Sequence, residues 1–318
     1  MIKVFGSVGG WLDERFFRDS PRGPRTTPLR LAVIAAVAAL MMVIQIVRVW
    51  SSAPLNSIWA EDGYIFLADA LRWGFFHALI TPYSGYLNTV SRLVAEPVSF
   101  LPIGWFAPAM ALSGAAILTW CAFVVWYASA GYIRSAYLRG VMVVVMVVSP
   151  LVGIEMLDNV TYSIWYLLFA SFWVLLWRPS TLAGAAGAGA LILLTTLSNA
   201  LIILFLPLWL LRVFAMRDVR DKIIAGSFAV GVAVQYAFSW NQRGLIGERG
   251  GYQIPQASQW HWSLVPAYVQ RIVGGVVTGQ RISSYLWLHL GIWFELVLAA
   301  AFIIFVVTVF VGTDVRTR

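Results

Sequence analysis

The chain has 318 residues, of which 60% are hydrophobic and 11% are charged, with a formal net charge of +8. This much apolar sequence, divided into separate runs, predicts an all-α, polytopic membrane protein and excludes a soluble globular enzyme. The basic residues are scattered over short loops, so we expect no nucleic-acid partner, and the single Cys121 excludes a disulfide or a cysteine metal site.

Residues 1–28 begin the chain with five basic side chains and three prolines, which the positive-inside rule assigns to the cytoplasm. A first membrane span at residues 29–50 then leads to the external side. The next stretch, residues 51–104, is too polar for ordinary spans and is predicted to be an external loop. Two interfacial helices fit it, near residues 63–79 and 87–101.

Seven further spans are expected, which gives about eight in the transmembrane domain of residues 29–312. They lie near 105–130, 140–152 and 162–177, in two short runs between 183 and 212, and at 223–238 and 286–312. The glycines Gly184, Gly187 and Gly189 predict close helix approach in the fifth span. A second external loop at 239–285 and a cytoplasmic tail at 313–318 complete a topology with both termini inside.

The stretch "WAEDGYIFL" places Glu61 and Asp62 side by side just beyond the first span. Ionised carboxylates are costly near hydrocarbon, so the pair needs a physical reason. One interpretation is that Asp62 caps the first interfacial helix. The other is a site, because further acids, arginines and a histidine are predicted on the same membrane face. Such a cluster suits the activation of a hydroxyl and the stabilisation of an anionic leaving group.

This arrangement resembles the GT-C superfamily of integral membrane glycosyltransferases, with an acidic pair outside the first span, two juxtamembrane helices and a run of later spans. The motifs "WAEDGYIFL", "PYSGYLNTVSRLVA" and "GIEMLDNVTYSIWYLL" also resemble a group of poorly characterised bacterial multi-spanning proteins. The resemblance covers residues 29–240. It implies inverting transfer of a sugar from a polyprenyl-phosphate carrier to a glycan or lipid acceptor. That reaction would occur at the periplasmic face of a bacterial inner membrane, in envelope glycan or glycolipid synthesis.

The resemblance also implies that an acid of the first external loop is the general base, with Asp62 favoured and Glu61 as its neighbour or substitute. Arginine binds phosphate in bidentate fashion, which nominates Arg92 and the arginines of the second loop. An intrahelical pair of Arg92 with Glu96 is an equally open interpretation. The candidate substrate-binding residues are Tyr83, Tyr86, Arg92, Glu155, Asp158, Asn159, Arg243, Arg249 and His261.

Two other questions stay open in the sequence. Asp158 or Asn159 could cap the fourth span, or Glu155 and Asp158 could bind the acceptor sugar or a divalent cation. No metal-ligand spacing is present, so no cofactor is predicted with certainty. A transporter or flippase of a lipid-linked saccharide, or a non-catalytic scaffold of polysaccharide assembly, are alternative functions. The clustering of charges at one face and the lack of repeated halves favour the enzyme.

Overall fold

A computed structural model of the chain describes residues 10–11, 16–19, 27–83, 85–148, 159–241, 280–291 and several positions between 293 and 304. The described residues are almost entirely helical, which confirms the all-α prediction. They fall into two compact units, with residues up to 241 in the first and residues from 280 onwards in the second.

The first helix, α1, covers Pro28–Arg48. Its start is fixed by Thr27, whose hydroxyl oxygen accepts the Arg30 N–H at 3.3 Å, and by Pro28 in the first turn, where a missing N–H costs nothing. Most of its apolar side chains are exposed, since only Met41, Gln45 and Ile46 are buried within it. An apolar surface of this kind suits a helix surrounded by lipid.

Short helices fill the polar stretch that follows α1. They are a π-helical segment Asp62–Leu67, α2 at Ala68–Trp73, α3 at Phe75–Ile80 and α4 at Thr89–Ser99. Helices therefore occupy both stretches where interfacial helices were predicted. The first is broken at Gly74, whose φ of +72° is a left-handed conformation that glycine adopts without steric cost.

The remaining helices of the first unit are α5 at Phe106–Ala128, α6 at Ala136–Val148, α7 at Ser163–Leu176, α8 at Leu182–Thr196, α9 at Leu206–Phe214 and α10 at Val219–Asn241. A 3₁₀ segment, Ala200–Phe205, leads into α9. The second unit contributes α11 at Gln280–Leu290.

Two helical segments of the described chain are long and apolar enough to cross a membrane, Pro28–Arg48 and Ile103–Gly131. Four others are apolar but shorter: Ala136–Val148, Ser163–Leu176, Leu182–Thr196 and Ala200–Phe214. The count of eight spans is therefore not confirmed. Most of the predicted eighth span, 286–312, lies outside the described residues.

Helices α8 and α10 pack closely at glycines. A Cβ atom on Gly231 would lie 1.8 Å from the Thr196 Oγ1, and one on Gly189 would lie 2.8 Å from the Ser227 Oγ. The predicted close approach is thus confirmed at Gly189. Gly187 has no neighbouring atom within 4 Å of its Cβ position, so it does not contribute.

The segments that connect the helices of the first unit form two groups, one at each end of the helices, and hydrogen bonds between distant segments join the members of each group. The acidic end, which carries Glu61, Asp62, Asp69 and Glu96, is joined by Asp62 with Thr161, Leu87 with Gln235 and Thr89 with Leu197. The basic end carries the arginines of the connecting segments at the other end of the helices. It is held by hydrogen bonds between Tyr132 and Leu176, Arg178 and Ala215, and Arg212 and Asp221. Helices α7, α8 and α10 each run from one end to the other.

A short segment of the N-terminal tail is docked at the basic end. The strand β1, Arg18–Asp19, pairs in parallel with β2, Trp177–Arg178. Phe17 is buried, with its ring centroid 5.2 Å from the guanidinium carbon of Arg178 and 5.8 Å from that of Arg212. Such cation–π contacts attach the tail segment to the bundle.

Candidate functional site

Asp62 is buried, with 1% of its surface exposed, and both of its carboxylate oxygens are hydrogen-bonded. The Oδ2 accepts the Val160 N–H at 2.7 Å. The Oδ1 accepts the Thr161 N–H at 3.0 Å and the Thr161 hydroxyl at 2.5 Å. The prediction that Asp62 caps its own helix is wrong, because its acceptors serve a turn 98 residues further along the chain.

Burial raises the pKa of Asp62 to about 6, and the bonds from Thr161 and Val160 oppose that rise because they stabilise the ionised form. The neighbouring charge of Glu61 raises the pKa slightly further. The three donors to Asp62 favour its ionised form.

Glu61 is less buried than Asp62 and is only partly hydrogen-bonded. Its Oε1 accepts the Tyr83 hydroxyl at 3.2 Å, while its Oε2 is buried and has no hydrogen-bond partner. The preceding residue, Ala60, has a φ of +42°, which is strained for a residue with a side chain. A π-helical segment begins directly after Glu61, and such segments are frequent at functional sites. The strained Ala60, the unpartnered Oε2 of Glu61 and the start of the π-helical segment at Asp62 thus lie at consecutive positions.

The two candidate tyrosines form a tight turn beside Glu61. Tyr83 and Tyr86 exchange backbone hydrogen bonds of 2.8 and 3.1 Å, and Gly85 supplies the positive φ of 83° within the turn. Burial, and then the charge of Glu61, raises the pKa of Tyr86 to about 12. Tyr86 therefore stays neutral at physiological pH and keeps its hydroxyl proton.

Arg92 is 3% exposed and is paired with Asp69 rather than with Glu96. Its Nη1 donates to the Asp69 Oδ2 at 3.0 Å, and its guanidinium carbon lies 5.1 Å from the ring centroid of Phe66. Burial lowers the pKa of Arg92 and Asp69 raises it, but arginine remains charged in proteins. The interpretation that Arg92 forms an intrahelical pair is therefore wrong.

The other two nitrogens of Arg92, Nε and Nη2, are buried without a hydrogen-bond partner. They lie along one edge of the guanidinium plane, which is the edge that binds two oxygens of a carboxylate or phosphate at once. Buried donors of this kind are rare, and each calls for an explanation such as a ligand. Arg92 is thus suited to bind an oxyanion.

Asn159 is 1% exposed and opens the turn that leads to α7. Its Oδ1 accepts the Tyr162 N–H at 3.3 Å within this turn, but the N-cap of α7 is Tyr162 and has no side-chain cap bond, so the interpretation that Asn159 caps the helix itself is not confirmed. Its Nδ2 is buried and has no hydrogen-bond partner. A second free donor is therefore present two residues from Thr161, the partner of Asp62.

A continuous set of contacts links the free carboxylate to the free guanidinium edge. Glu61 binds Tyr83, the Tyr83 ring meets the Phe66 ring edge-on at 5.4 Å, and Phe66 lies under Arg92. Among the described residues, the predicted site members brought together at the acidic end are Glu61, Asp62, Tyr83, Tyr86, Arg92 and Asn159. Five others lie outside the described residues: Glu155, Asp158, Arg243, Arg249 and His261.

The sequence did not identify Thr161, Phe66 or Asp69 as members of this cluster. Thr161 and Asp69 meet their partners only through tertiary contacts, and Phe66 sits in an apolar pattern that predicts core packing. Within the described part of the chain, no three His, Cys, Asp or Glu side chains are grouped closely enough to hold a metal ion.

No protein-family model matches the chain, and comparisons with characterised proteins and with solved structures find no similar protein.

Proposed function

We propose that the chain is a membrane glycosyltransferase that moves a sugar from a polyprenyl-phosphate carrier to an acceptor hydroxyl at the acidic end. The observation that carries the proposal is the presence of two unsatisfied groups, the Oε2 of Glu61 and the Nε/Nη2 edge of Arg92, on residues that are linked by contacts through Tyr83 and Phe66. Inverting transfer from a phosphate needs a base for the acceptor and a cation for the leaving group.

Glu61 is the better general base of the acidic pair. A base needs a lone pair within hydrogen-bond reach of the proton that it removes, and three of the four lone pairs of the Asp62 carboxylate already accept from Val160 and Thr161. The Oε2 of Glu61 has such a lone pair available. Asp62 in this proposal is a positioning residue that holds the turn before α7 against Glu61.

The proposed step transfers one proton, forms one bond to the anomeric carbon and breaks another. Glu61 takes the proton of the acceptor hydroxyl while the acceptor oxygen bonds to the anomeric carbon. The bond from that carbon to the carrier's phosphate oxygen breaks, and its electron pair leaves on the lipid phosphate. Arg92 stabilises the departing phosphate with two parallel hydrogen bonds. The product sugar has the inverted anomeric configuration.

Sugar hydroxyls require several donors and acceptors, and the acidic end offers them beside the reacting groups. The free Nδ2 of Asn159 is a donor, and the neutral hydroxyl of Tyr86 is both donor and acceptor. We assign these two residues to binding of the transferred or accepting sugar.

The same proposal places the chain in a bacterial inner membrane as a multi-pass protein. Two membrane-length helices and the alternation of the chain between the acidic and basic ends support it. That alternation gives seven crossings up to residue 241, and residues 286–312 would supply the eighth. The positive-inside rule then puts the basic end and both termini in the cytoplasm, and the acidic end in the periplasm.

Purified protein in proteoliposomes tests the function directly. A panel of radiolabelled polyprenyl-phosphate sugars is supplied with glycan and lipid acceptors, and label is followed into the acceptor fraction. We expect transfer of one sugar with inversion at the anomeric carbon. Movement of intact lipid-linked sugar across the bilayer without transfer would instead favour a transporter, and neither activity would favour a scaffold.

A further inference from the structure

A buried glutamine on α10 binds the segment that separates the two halves of the site. Gln235 is 0% exposed. Its Oε1 accepts the Leu87 N–H at 3.2 Å, and its Nε2 donates to the Leu87 carbonyl oxygen at 3.4 Å. One side chain thus pairs with both backbone polar groups of Leu87, as a neighbouring strand would. A buried amide in an apolar helix is costly unless it finds such partners.

The residues after Leu87 are bound in turn to the end of α8. The Val90 N–H donates to the Ser198 Oγ at 2.9 Å. The Leu197 carbonyl oxygen accepts the Thr89 N–H at 3.3 Å and the Thr89 hydroxyl at 2.9 Å. Residues 87–90 are therefore fixed to α10 and to the turn after α8 by five hydrogen bonds.

This clamp, which we define as Gln235, Leu197 and Ser198 with residues 87–90, lies between the two groups of site residues. The Tyr83–Tyr86 turn comes directly before it. Helix α4 begins within it, and the Arg92 N–H bonds the Asn88 carbonyl oxygen at 3.3 Å in the first turn. Any shift of the clamped segment would move Tyr86 and Arg92 together.

We infer that Gln235 is a positioning residue, which sets the placement of Tyr86 and Arg92 by pairing with both backbone groups of Leu87. The effect on transfer rests on the proposed function, whereas the clamp itself does not. Gln235 does not touch the reacting atoms in this scheme. Its effect on the reaction is transmitted through residues 87–90.

Two substitutions separate hydrogen bonding from packing. Gln235→Leu fills similar space but removes both bonds to Leu87. Gln235→Glu keeps the shape: ionised, it accepts from the Leu87 N–H but repels the carbonyl oxygen, and protonated, it does both. The matched control is Tyr236→Phe, which loses a 3.3 Å bond to the Ala200 carbonyl oxygen from the exposed side of the same helix.

The first readout is hydrogen exchange of the peptide that covers residues 85–91, measured by mass spectrometry in detergent. We expect Gln235→Leu to speed exchange at Leu87 and its neighbours by about fivefold for each lost hydrogen bond. Tyr236→Phe should leave this peptide unchanged. Unaltered exchange in Gln235→Leu would overturn the clamp, whether or not the protein transfers a sugar.

The second readout is the transfer rate relative to wild type across pH. We expect Gln235→Leu to lose about tenfold to 100-fold at every pH, because small misplacements of site groups are costly. Gln235→Glu should recover towards wild type as the pH falls and the side chain gains its proton. Faster exchange with an unchanged relative rate, or a flat relative profile for Gln235→Glu, would overturn the positioning role. Absence of transfer by wild type would contradict the proposed function, while the exchange experiment would still decide the clamp.

Discussion

Asp62 and Thr161 lie 99 residues apart in the chain and are joined by two hydrogen bonds, one from the Thr161 amide and one from its hydroxyl. The two adjacent acids therefore have different roles. Asp62 joins two distant segments of the chain, whereas the Oε2 of Glu61 has no hydrogen-bond partner. Five predictions test that difference and the packing around it.

Asp62→Asn should lower the free energy of unfolding by about 2–3 kcal/mol at pH 7, because a buried charge-assisted acceptor is replaced by an amide that cannot satisfy all three donors. The measurement is denaturant unfolding of the purified protein in detergent micelles. Asp218→Asn, an acid-to-amide change at the basic end, is the control, and we expect a smaller effect from this surface pair. Equal losses for the two variants would argue against the anchor.

Glu61→Gln should reduce sugar transfer by about 10²- to 10⁴-fold, the usual contribution of a general base. The fold should tolerate the change, since the Glu61 Oε1 makes a single bond to Tyr83 and its Oε2 makes none. The rate and the unfolding curve are measured on the same preparation. A Glu61→Gln protein that transfers sugar at the wild-type rate would exclude Glu61 as the base.

Arg92→Lys should raise the KM for the lipid-phosphate donor about tenfold, although the positive charge beside Asp69 is kept. Lysine cannot present the two parallel donors that arginine presents along one edge. Initial rates at varied donor concentration give the KM. The result that contradicts the assignment is an unchanged donor KM in a folded Arg92→Lys protein.

Because the pKa of Asp62 is raised in the folded protein, its effect on the free energy of unfolding changes with pH in a known direction. Its ordinary value is 3.8 and its folded value is about 6, so between these values the folded state binds more protons than the unfolded state. The proton-linked part of the Asp62 contribution to stability is therefore full below about pH 4 and is lost as the pH rises through about 6, while the hydrogen bonds from Val160 and Thr161 remain. The difference in unfolding free energy between wild type and Asp62→Asn should shrink from pH 4 to pH 7. A difference that grows over this interval would show a lowered pKa instead.

Gly231→Ala should destabilise the protein by about 1–3 kcal/mol, because overpacking forces neighbouring side chains and backbone to shift. The added Cβ would lie 1.8 Å from the Thr196 Oγ1 and 2.7 Å from its Cβ. Gly226→Ala on the same helix meets no atom within 4 Å and should be neutral or stabilising by up to about 1 kcal/mol. Thermal unfolding in detergent compares the two. Similar melting temperatures would mean that α8 and α10 can separate freely at this point.

Hydropathy predicted the helices well, since it responds to local composition alone. The first predicted span, 29–50, differs from Pro28–Arg48 by two residues at its end. The break at Gly74 was missed because the surrounding sequence stays apolar, and the φ of glycine depends on how the two short helices pack. The shorter helices were predicted too, for example 162–177 for Ser163–Leu176, but an apolar run below membrane length does not by itself define a span.

The site was less predictable, because its chemistry depends on which groups are already satisfied. Sequence spacing offered Glu96 as the partner of Arg92, four residues along the helix, whereas the fold brings Asp69 from a different helix. The preference for Asp62 over Glu61 came from a family resemblance, and no local pattern could reveal that Val160 and Thr161 would occupy the Asp62 oxygens.

The docking of Phe17 at the basic end has a consequence for the order of folding. The tail segment precedes α1 in the chain, yet its partners are Trp177, Arg178 and Arg212. It can dock only after the segments up to α9 have been made and have packed together. Phe17 and the strand after it are thus made long before their partners, and their docking reports that the segments carrying Trp177, Arg178 and Arg212 have come together.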